Sequence, residues 1–229
     1  MAQSFNNLDV YLEIGKKRTL AGVMEWPGWL RGGRDEAEAM QDLIDYGPRY
    51  AQIIQSAFAE FQPPPNRSVF TVVERLVGNS TTDFGAPDVA PAADMRPFAH
   101  ADLARCQTLL SAYWQAFDTA VSGAAGKELR KGPRGGGRNI GGIVQHVLGA
   151  DQSYLAQLAW KHTQHDQQDL AEELNRTRQA ILSALRAAVR GEIPARGPRG
   201  GAIWPPRFFV RRVAWHVLDH IWEIEHRIM

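Results

Sequence analysis

The spacing of hydrophobic and polar residues changes along the chain. Within residues 1–78, short segments alternate apolar and polar side chains or carry β-branched and aromatic ones, as half-buried strands do. Two such segments run from Leu8 to Gly15 and from Arg18 to Trp26. The turn at residues 15–17 between them predicts a β-hairpin. A third strand is predicted from Val69 to Val77.

Two helices are predicted between the hairpin and the third strand. The first begins at Asp35-Glu36 and stops at Gly47-Pro48, because proline lacks the amide hydrogen that would continue a helix. The second is predicted from Arg49 to Phe61, before three consecutive prolines. Pro27-Gly28 and Gly32-Gly33 are interpreted as a tight connection ahead of the first helix. Residues 1–78 are therefore predicted to form a small α+β domain.

Beyond residue 78 the pattern becomes helical. Residues 79–96 show no sustained period and are rich in turn-forming residues, which predicts a linker. Residues 97–229 carry four apolar stripes at helical spacing, the pattern of an all-α four-helix bundle. The predicted fold class is thus an α+β domain followed by a four-helix bundle. The stripes are Leu103, Cys106, Leu110, Tyr113, Phe117; Ile140, Ile143, Val147, Tyr154, Leu158; Leu170, Leu174, Ile181, Leu185; and Val210, Val213, Val217, Ile221, Ile224, Ile228.

Composition and charge argue against several functional classes. The 229 residues include 26 Lys and Arg against 25 Asp and Glu, and this balance gives no general attraction for nucleic acid or an anionic membrane. No apolar run approaches the roughly 20 residues of a membrane span, and the N-terminus lacks a signal-peptide pattern. Cys106 is the single cysteine, which excludes an internal disulfide and favours the cytoplasm. Its place in an apolar stripe predicts a buried packing residue rather than a nucleophile.

Three histidines occupy positions that suit a shared metal ion. His216 and His220 are four residues apart on the predicted fourth helix, so their side chains project from one face. His146 lies at the corresponding flank of the second helix, one residue before Val147. Two imidazoles from one helix and one from another leave coordination positions open, which is typical of catalytic metal sites. The alternative is that each histidine is a hydrogen-bonded packing residue at the edge of the core.

None of the other four of the seven histidines is assigned as a ligand. His162 and His165 are interpreted as polar residues at the end of the second helix, near the negative end of its dipole. His226 lies on the far face of the fourth helix from the pair at 216 and 220, and His100 opens the first helix.

Two strings resemble the signature helices of the DinB/YfiT-like superfamily. They are Ile-Val-Gln-His146-Val-Leu-Gly-Ala-Asp and Ala-Trp-His216-Val-Leu-Asp-His220-Ile-Trp-Glu-Ile-Glu-His-Arg, and the likeness covers roughly residues 97–229. The resemblance implies a four-helix bundle in which one histidine of the second helix and two of the fourth bind a divalent metal. By that resemblance His146, His216 and His220 are the ligands of zinc, nickel or iron.

The same resemblance implies chemistry with a low-molecular-weight thiol. Characterised relatives include enzymes whose cosubstrate is mycothiol, bacillithiol or glutathione, so a thiol-dependent S-transferase, isomerase or hydrolase with a small-molecule substrate is expected. The alternative is a non-catalytic bundle that binds a small ligand or a protein, with a silent or absent metal site. Arg212, Glu223 and Arg227, near the histidine flank, are candidates for orienting substrate or a ligand, against the alternative of surface or salt-bridged side chains.

Two features of the helical part predict particular contacts. Asp151 falls within the apolar stripe of the second helix, so we expect a partner for its carboxylate, including one that acts behind a metal ligand. Trp215, Leu218 and Trp222 lie off the main stripe of the fourth helix and make it apolar round most of its circumference. We expect either the N-terminal domain of a monomer or the second subunit of a homodimer to cover them.

The N-terminal part carries a second resemblance. The segment from Val10 to Leu43, in which Glu25-Trp26-Pro27-Gly28 precedes an acidic helix, resembles HicB-like small α+β domains, which are known as antitoxin modules. No DNA-binding appendage is visible in the sequence. The resemblance therefore implies a fold and no function for residues 1–78.

Overall fold

The chain divides into two compact units, Met1–Met95 and Arg96–Met229. The structure is a computed structural model that describes residues 7–131, 137–161, 169–198 and 200–229. In the described residues, the first unit has a four-stranded sheet with three short helices, and the second has four long helices. The chain is therefore an α+β unit followed by an all-helical one.

The sheet of the first unit has the order β3-β2-β1-β4. Strands β1 (Leu8–Ile14) and β2 (Thr19–Val23) pair antiparallel, which confirms the predicted hairpin. Strand β4 (Phe70–Val77) pairs parallel to β1 on the other side. Because β1 lies in the middle of the sheet, Val10 and Leu12 are completely buried.

The structure corrects the interpretation of Gly32-Gly33 as a connection. Both glycines belong to strand β3 (Leu30–Gly33), which pairs antiparallel with β2. A Cβ at Gly33 would lie 2.5 Å from the backbone nitrogen of Ala39, so glycine lets helix α1 pack directly on this strand. A strand that needs glycine for close packing shows no alternation of apolar and polar residues, so hydrophobic periodicity does not predict it.

Helix α1 (Glu36–Asp45) begins as predicted, with the Asp35 side chain accepting a hydrogen bond from the Glu38 amide at 2.9 Å. Helix α2 spans Gly47–Ile54, so its predicted range of residues 49–61 is wrong at both ends. Pro48 lies in the first turn, where a missing amide hydrogen breaks no helical bond. Beyond α2, the rings of Phe58 and Phe61 pack edge-on against Trp26 instead of continuing a helix.

Residues 79–96, where the sequence predicts a linker, include helix α3 (Ser80–Phe84). The carboxylate of Glu13, fully buried on β1, accepts hydrogen bonds from the Thr82 hydroxyl and from the Asp88 amide at 3.0 Å. Burial raises the pKa of Glu13, while these hydrogen bonds oppose the shift. A buried side chain of the sheet thus anchors this segment. Two short 3-10 helices complete the described elements of the unit, Arg67–Val69 and Ala92–Met95.

The second unit contains the four predicted long helices: α4 (His100–Gly123), α5 (Ile140–Gln157), α6 (Leu170–Val189) and α7 (Pro206–Arg227). Helix α4 packs against α6 and α7, and α5 packs against the same two. Helix α5 ends at Gln157, four residues before the predicted end near Lys161. The side chains that fill this core come from all four helices, and they include Leu110, Tyr113, Phe117, Ile143, Val147, Ile181, Leu185, Val213 and Val217.

Helix α7 is buried over most of its surface. Trp215, Leu218 and Trp222 are all buried. The choice between a monomer and a homodimer stays a prediction. Cys106 is buried on α4, and burial raises the pKa of its thiol to about 11, so it is not a ready nucleophile.

Two further predictions concern membrane spans and the histidines at the end of the second helix. In the described parts of the chain, no helix combines the length and the apolar character that crossing a membrane requires. His162 and His165, predicted at the end of the second helix, lie outside the described residues.

Candidate metal centre

Helix α7 brings His216 and His220 together. The four-residue spacing places the rings one turn apart on the same face, with centroids 4.5 Å from each other. Both residues are buried, with relative exposures of 6% and 8%, because the neighbouring Val217 and Ile221 hold this side of α7 in the core. Their position at the edge of the apolar stripe is the one that the sequence predicts.

Helix α5 supplies the third histidine. The side chain of Asn139 accepts a hydrogen bond from the Gly142 amide at 2.8 Å and so starts this helix two turns before His146. The half-buried ring of His146 lies with its centroid 5.0 Å from that of His216 and 4.9 Å from that of His220. Residues 70 or more positions apart in sequence therefore meet at one point, as the sequence predicts.

The spacing of the ring nitrogens suits a single metal ion. The Nε2 atom of His216 lies 3.3 Å from Nε2 of His146 and 3.2 Å from Nε2 of His220. Nitrogens at about 2.0–2.1 Å from a tetrahedral ion are themselves about 3.3 Å apart. Among the described residues, these three form the only group of three or more His, Cys, Asp and Glu with metal-ligand spacing. The donor set and its spacing thus fit a divalent ion.

The surroundings of His146 and His216 favour the neutral imidazole, which is the form that binds metal. Burial above all lowers the pKa of His216 to about 2, together with the neighbouring His220, His146, Arg212 and Arg138. Burial is also the main cause that lowers the pKa of His146. A proton on His216 or His146 is therefore less favourable than on a histidine in water.

Glu223 contacts the centre from behind His220. Its Oε2 lies 2.7 Å from Nδ1 of His220, and its other oxygen is paired with the guanidinium of Arg227. The hydrogen bond from His220 is the first cause that lowers the pKa of Glu223, with Arg227 adding to it. Two of the three residues that the sequence offers for orienting a ligand, Glu223 and Arg227, therefore contact each other, and Glu223 also contacts His220.

Arg212, the third of these candidates, lies in an aromatic environment. Its guanidinium carbon is 5.1 Å from the ring centre of Tyr154, 5.6 Å from Trp204 and 5.3 Å from Trp215. An Nη atom donates to the Tyr154 hydroxyl at 3.3 Å. The Tyr154 ring lies 5.8 Å from that of His216, so Arg212 and Tyr154 together form one side of the centre.

The partner predicted for Asp151 is not found in the described part of the chain. Asp151 is completely buried, and neither carboxyl oxygen has a hydrogen-bond partner there. The positive charge of Arg178 on α6 favours the ionised form of Asp151. The guanidinium of Arg178, however, is bonded at 2.8 Å to both oxygens of Asp118. Burial outweighs that charge and raises the pKa of Asp151 to about 7. Protonation, rather than a hydrogen-bond partner, thus limits the free-energy cost of burying this carboxyl group.

Three residues near the centre were not assigned to it from the sequence. Tyr154 was placed in an apolar stripe as a core residue, and no pattern marked Trp204 in the connection before α7. Arg138 carries a charge that acts on His146 and His216, and it precedes α5 by two residues. Arg138 and Trp204 lie outside the long helices, where helical spacing gives no signal.

Comparison with known families agrees with this architecture. The model of the DinB superfamily matches residues 109–224, slightly more than half of the chain, and the match includes all three histidines. The protein therefore belongs to the DinB superfamily. No curated protein and no solved structure matches the chain.

Proposed function

We propose that this protein is a divalent-metal-dependent enzyme in which helices α4–α7 form a DinB-type four-helix bundle. His146, His216 and His220 are the metal ligands, and the substrate is a small molecule processed with a low-molecular-weight thiol. The reaction class is a thiol-dependent S-transferase, isomerase or hydrolase. The observation that carries the proposal is the meeting of three imidazole nitrogens at one point, with Nε2 of His216 at 3.3 and 3.2 Å from those of His146 and His220.

The exposure of the three histidines supports a catalytic site over a purely structural one. His216 and His220 are buried, whereas His146 is half-buried, so one side of the centre is accessible. Three protein ligands leave at least one coordination position for an exogenous group. When bound, a divalent ion lowers the pKa of a coordinated thiol or water and so provides a nucleophile at neutral pH.

The charges around the histidines favour the thiolate form of a bound thiol. Arg138 and Arg212 both act on His216 electrostatically, as positive charges. A thiolate that approaches from the side of His146 would be attracted by both. Tyr154 and Trp204 supply aromatic surface beside Arg212, with ring centroids 5.4 Å apart, against which an apolar part of a substrate can pack.

Metal analysis of protein purified without an affinity tag tests the proposal. We expect about one equivalent of a transition metal in the wild type and a loss of most of it in His216→Ala, which should stay folded by circular dichroism. The matched control is His226→Ala, an exposed histidine on the same helix, which should retain the metal. Less than about a tenth of an equivalent in the wild type would favour the non-catalytic bundle instead.

The thiol is tested separately with the Co²⁺-substituted protein. Adding mycothiol, bacillithiol or glutathione should produce a thiolate-to-cobalt charge-transfer band, with one of the three binding best. S-methylated glutathione is the control, because it lacks the ionisable sulfur. A protein that binds cobalt but shows no such band with any of the three would contradict thiol dependence while leaving metal binding in place.

A further inference from the structure

We infer that Glu223 is a positioning residue of the metal centre. Its carboxylate holds His220 in the tautomer and orientation that direct Nε2 towards His146 and His216. Arg227 in turn fixes the carboxylate and ties it to the segments that flank the entry into α5. The inference deepens the proposed function and rests on it only in requiring that the three histidines bind a divalent ion.

The hydrogen bond between Glu223 and His220 determines which ring nitrogen carries the proton. A carboxylate can only accept, so the 2.7 Å contact places a hydrogen on Nδ1 of His220, and the form of the ring that binds metal is then the one without a hydrogen on Nε2. In that form the Nε2 atom has a free lone pair, 3.2 Å from Nε2 of His216. A carboxylate behind a ligating histidine also raises the basicity of the ligand. His220 is thus set in its metal-binding form.

Arg227 fixes the position of the Glu223 carboxylate. The two residues are one helical turn apart on α7, and an Nη atom of Arg227 donates to Oε1 of Glu223. The Arg227 side chain is only 12% exposed and Glu223 28%, so this pair is more sheltered than an ordinary surface ion pair. With one oxygen bonded to His220 and the other to Arg227, the carboxylate has little freedom to rotate.

The guanidinium of Arg227 also contacts the chain that leads into α5. Its Nε donates to the carbonyl of Arg130 and its other Nη to the carbonyl of Arg138, both at 2.9 Å. Arg138 immediately precedes Asn139, the N-terminal cap of the helix that carries His146. The pair of Glu223 and Arg227 therefore links the α7 ligand His220 to the start of the helix that supplies the third ligand.

Gly137 provides the space for this link. Its φ of +142° is unfavourable for residues with a side chain, and a Cβ there would lie 2.4 Å from an Nη atom of Arg227. The guanidinium thus occupies the room that the missing side chain leaves. Close packing of this kind indicates a defined position for Arg227 rather than a loose surface contact.

His216 provides an internal comparison. Its Nδ1 atom is buried and has no hydrogen-bond partner among the described residues. Its ring is oriented by packing, whereas that of His220 has a charged acceptor. We therefore expect Glu223 to act on metal affinity through His220.

Metal affinity and cobalt spectroscopy distinguish positioning from a merely structural salt bridge. We expect Glu223→Gln to weaken Zn²⁺ binding by about 10- to 100-fold in a chelator competition and to change the visible absorption of the Co²⁺ form. Arg227→Met, which keeps the contact between Glu223 and His220, should have a smaller effect in the same direction. Glu225→Gln is the matched control, because Glu225 is exposed on the same helix.

The outcomes separate this inference from the proposed function. A Glu223→Gln protein with wild-type Zn²⁺ affinity and an unchanged cobalt spectrum would overturn the positioning role, while a metal-binding wild type would leave the proposed function intact. A wild type that binds no metal would overturn both. Should Glu223→Gln not fold, Glu223→Asp provides the same comparison. Its side chain is one methylene shorter, which moves the carboxylate away from His220, so it is expected to weaken Zn²⁺ binding as well.

Discussion

The Nε2 atoms of His146 and His216 lie 3.3 Å apart, although the residues belong to different helices. Two neutral imidazoles at this distance share at most one hydrogen, and His216 has a second such neighbour in His220. One proton on Nε2 of His216 cannot serve both contacts. Burial at the same time opposes a further proton on His216, so the stability of the chelator-treated protein should depend on pH.

The metal-free protein should lose stability in acid because of His216. The pKa of this histidine is about 2 in the folded protein, against an ordinary value of 6.5, so the unfolded chain binds its proton more readily between those values. The free energy of unfolding should fall as the pH drops below about 6.5, with a limiting slope of about 1.4 kcal/mol per pH unit for one group. Urea unfolding of chelator-treated protein between pH 7.5 and 4.5 measures this slope.

His216→Leu is the variant for that experiment, because leucine is apolar, of moderate size and does not titrate. The variant should show a shallower loss of stability over the same pH range. An identical slope in the two proteins would mean that His216 is protonated in the folded state. Such a result would contradict a buried, neutral ligand.

Replacing Asp151 by asparagine should stabilise the protein at alkaline pH. Its pKa is raised from 3.8 to about 7 in the folded protein, so the folded state binds the proton more tightly. The stability that this protonated group contributes is present below pH 3.8, declines as the pH rises towards 7 and is lost above it. Asp151→Asn should therefore have a higher melting temperature than the wild type at pH 8, and a much smaller difference at pH 5.

Asp118→Asn is a useful companion to Asp151→Asn. Asp118 has a side chain that is 54% exposed and pairs with Arg178, so its replacement should not give the same gain at alkaline pH. Metal content should be unchanged in Asp151→Asn. A loss of metal there would show that Asp151 acts on the centre through a partner outside the described residues.

Arg212→Met should separate the charge of this residue from its packing. Methionine retains an unbranched apolar side chain among Tyr154, Trp204 and Trp215 but removes the cation, at an expected cost of about 1–2 kcal/mol of stability. Thiolate binding to the cobalt form should weaken, because one of two nearby positive charges is lost. Titration of the charge-transfer band at fixed metal content measures the effect.

Arg138→Gln is the matched control for Arg212→Met. Arg138 also acts on His216 but is exposed, so its replacement should weaken thiolate binding with little change in stability. Unchanged thiolate affinity in both variants would contradict an electrostatic role for these arginines.

The sequence predicted those parts of the centre that depend on helical periodicity. The spacing of His216 and His220, and their position beside an apolar stripe, required only that α7 be a helix. The place of His146 followed from a second stripe, and the family resemblance joined the two. Those inferences hold even when the predicted end of a helix is wrong by a few residues, as it is for α5, which ends at Gln157.

Features that depend on particular tertiary contacts could not be predicted. Strand β3 is half glycine and packs closely on α1, so it carries no alternation. Helix α2 ends before Phe58 and Phe61, whose rings pack against Trp26. This contact joins residues more than 30 positions apart. That Asp151 has no hydrogen-bond partner among the described residues has the same origin, because Asp118 pairs with Arg178 from another helix.

The space that Gly137 leaves for Arg227 means that residues other than the three histidines also influence how tightly a related chain would bind a metal ion. A Cβ at this position would come within 2.4 Å of an Nη atom of Arg227, so a larger residue would require that guanidinium to move. Because the guanidinium also pairs with Glu223, such a shift would loosen the carboxylate while its contact with His220 stays in place. Under the proposed function, a larger residue at 137 should therefore weaken metal binding by no more than Arg227→Met does. Glycine at 137, nine residues ahead of His146, thus contributes to the position of Glu223 without touching any of the three histidines.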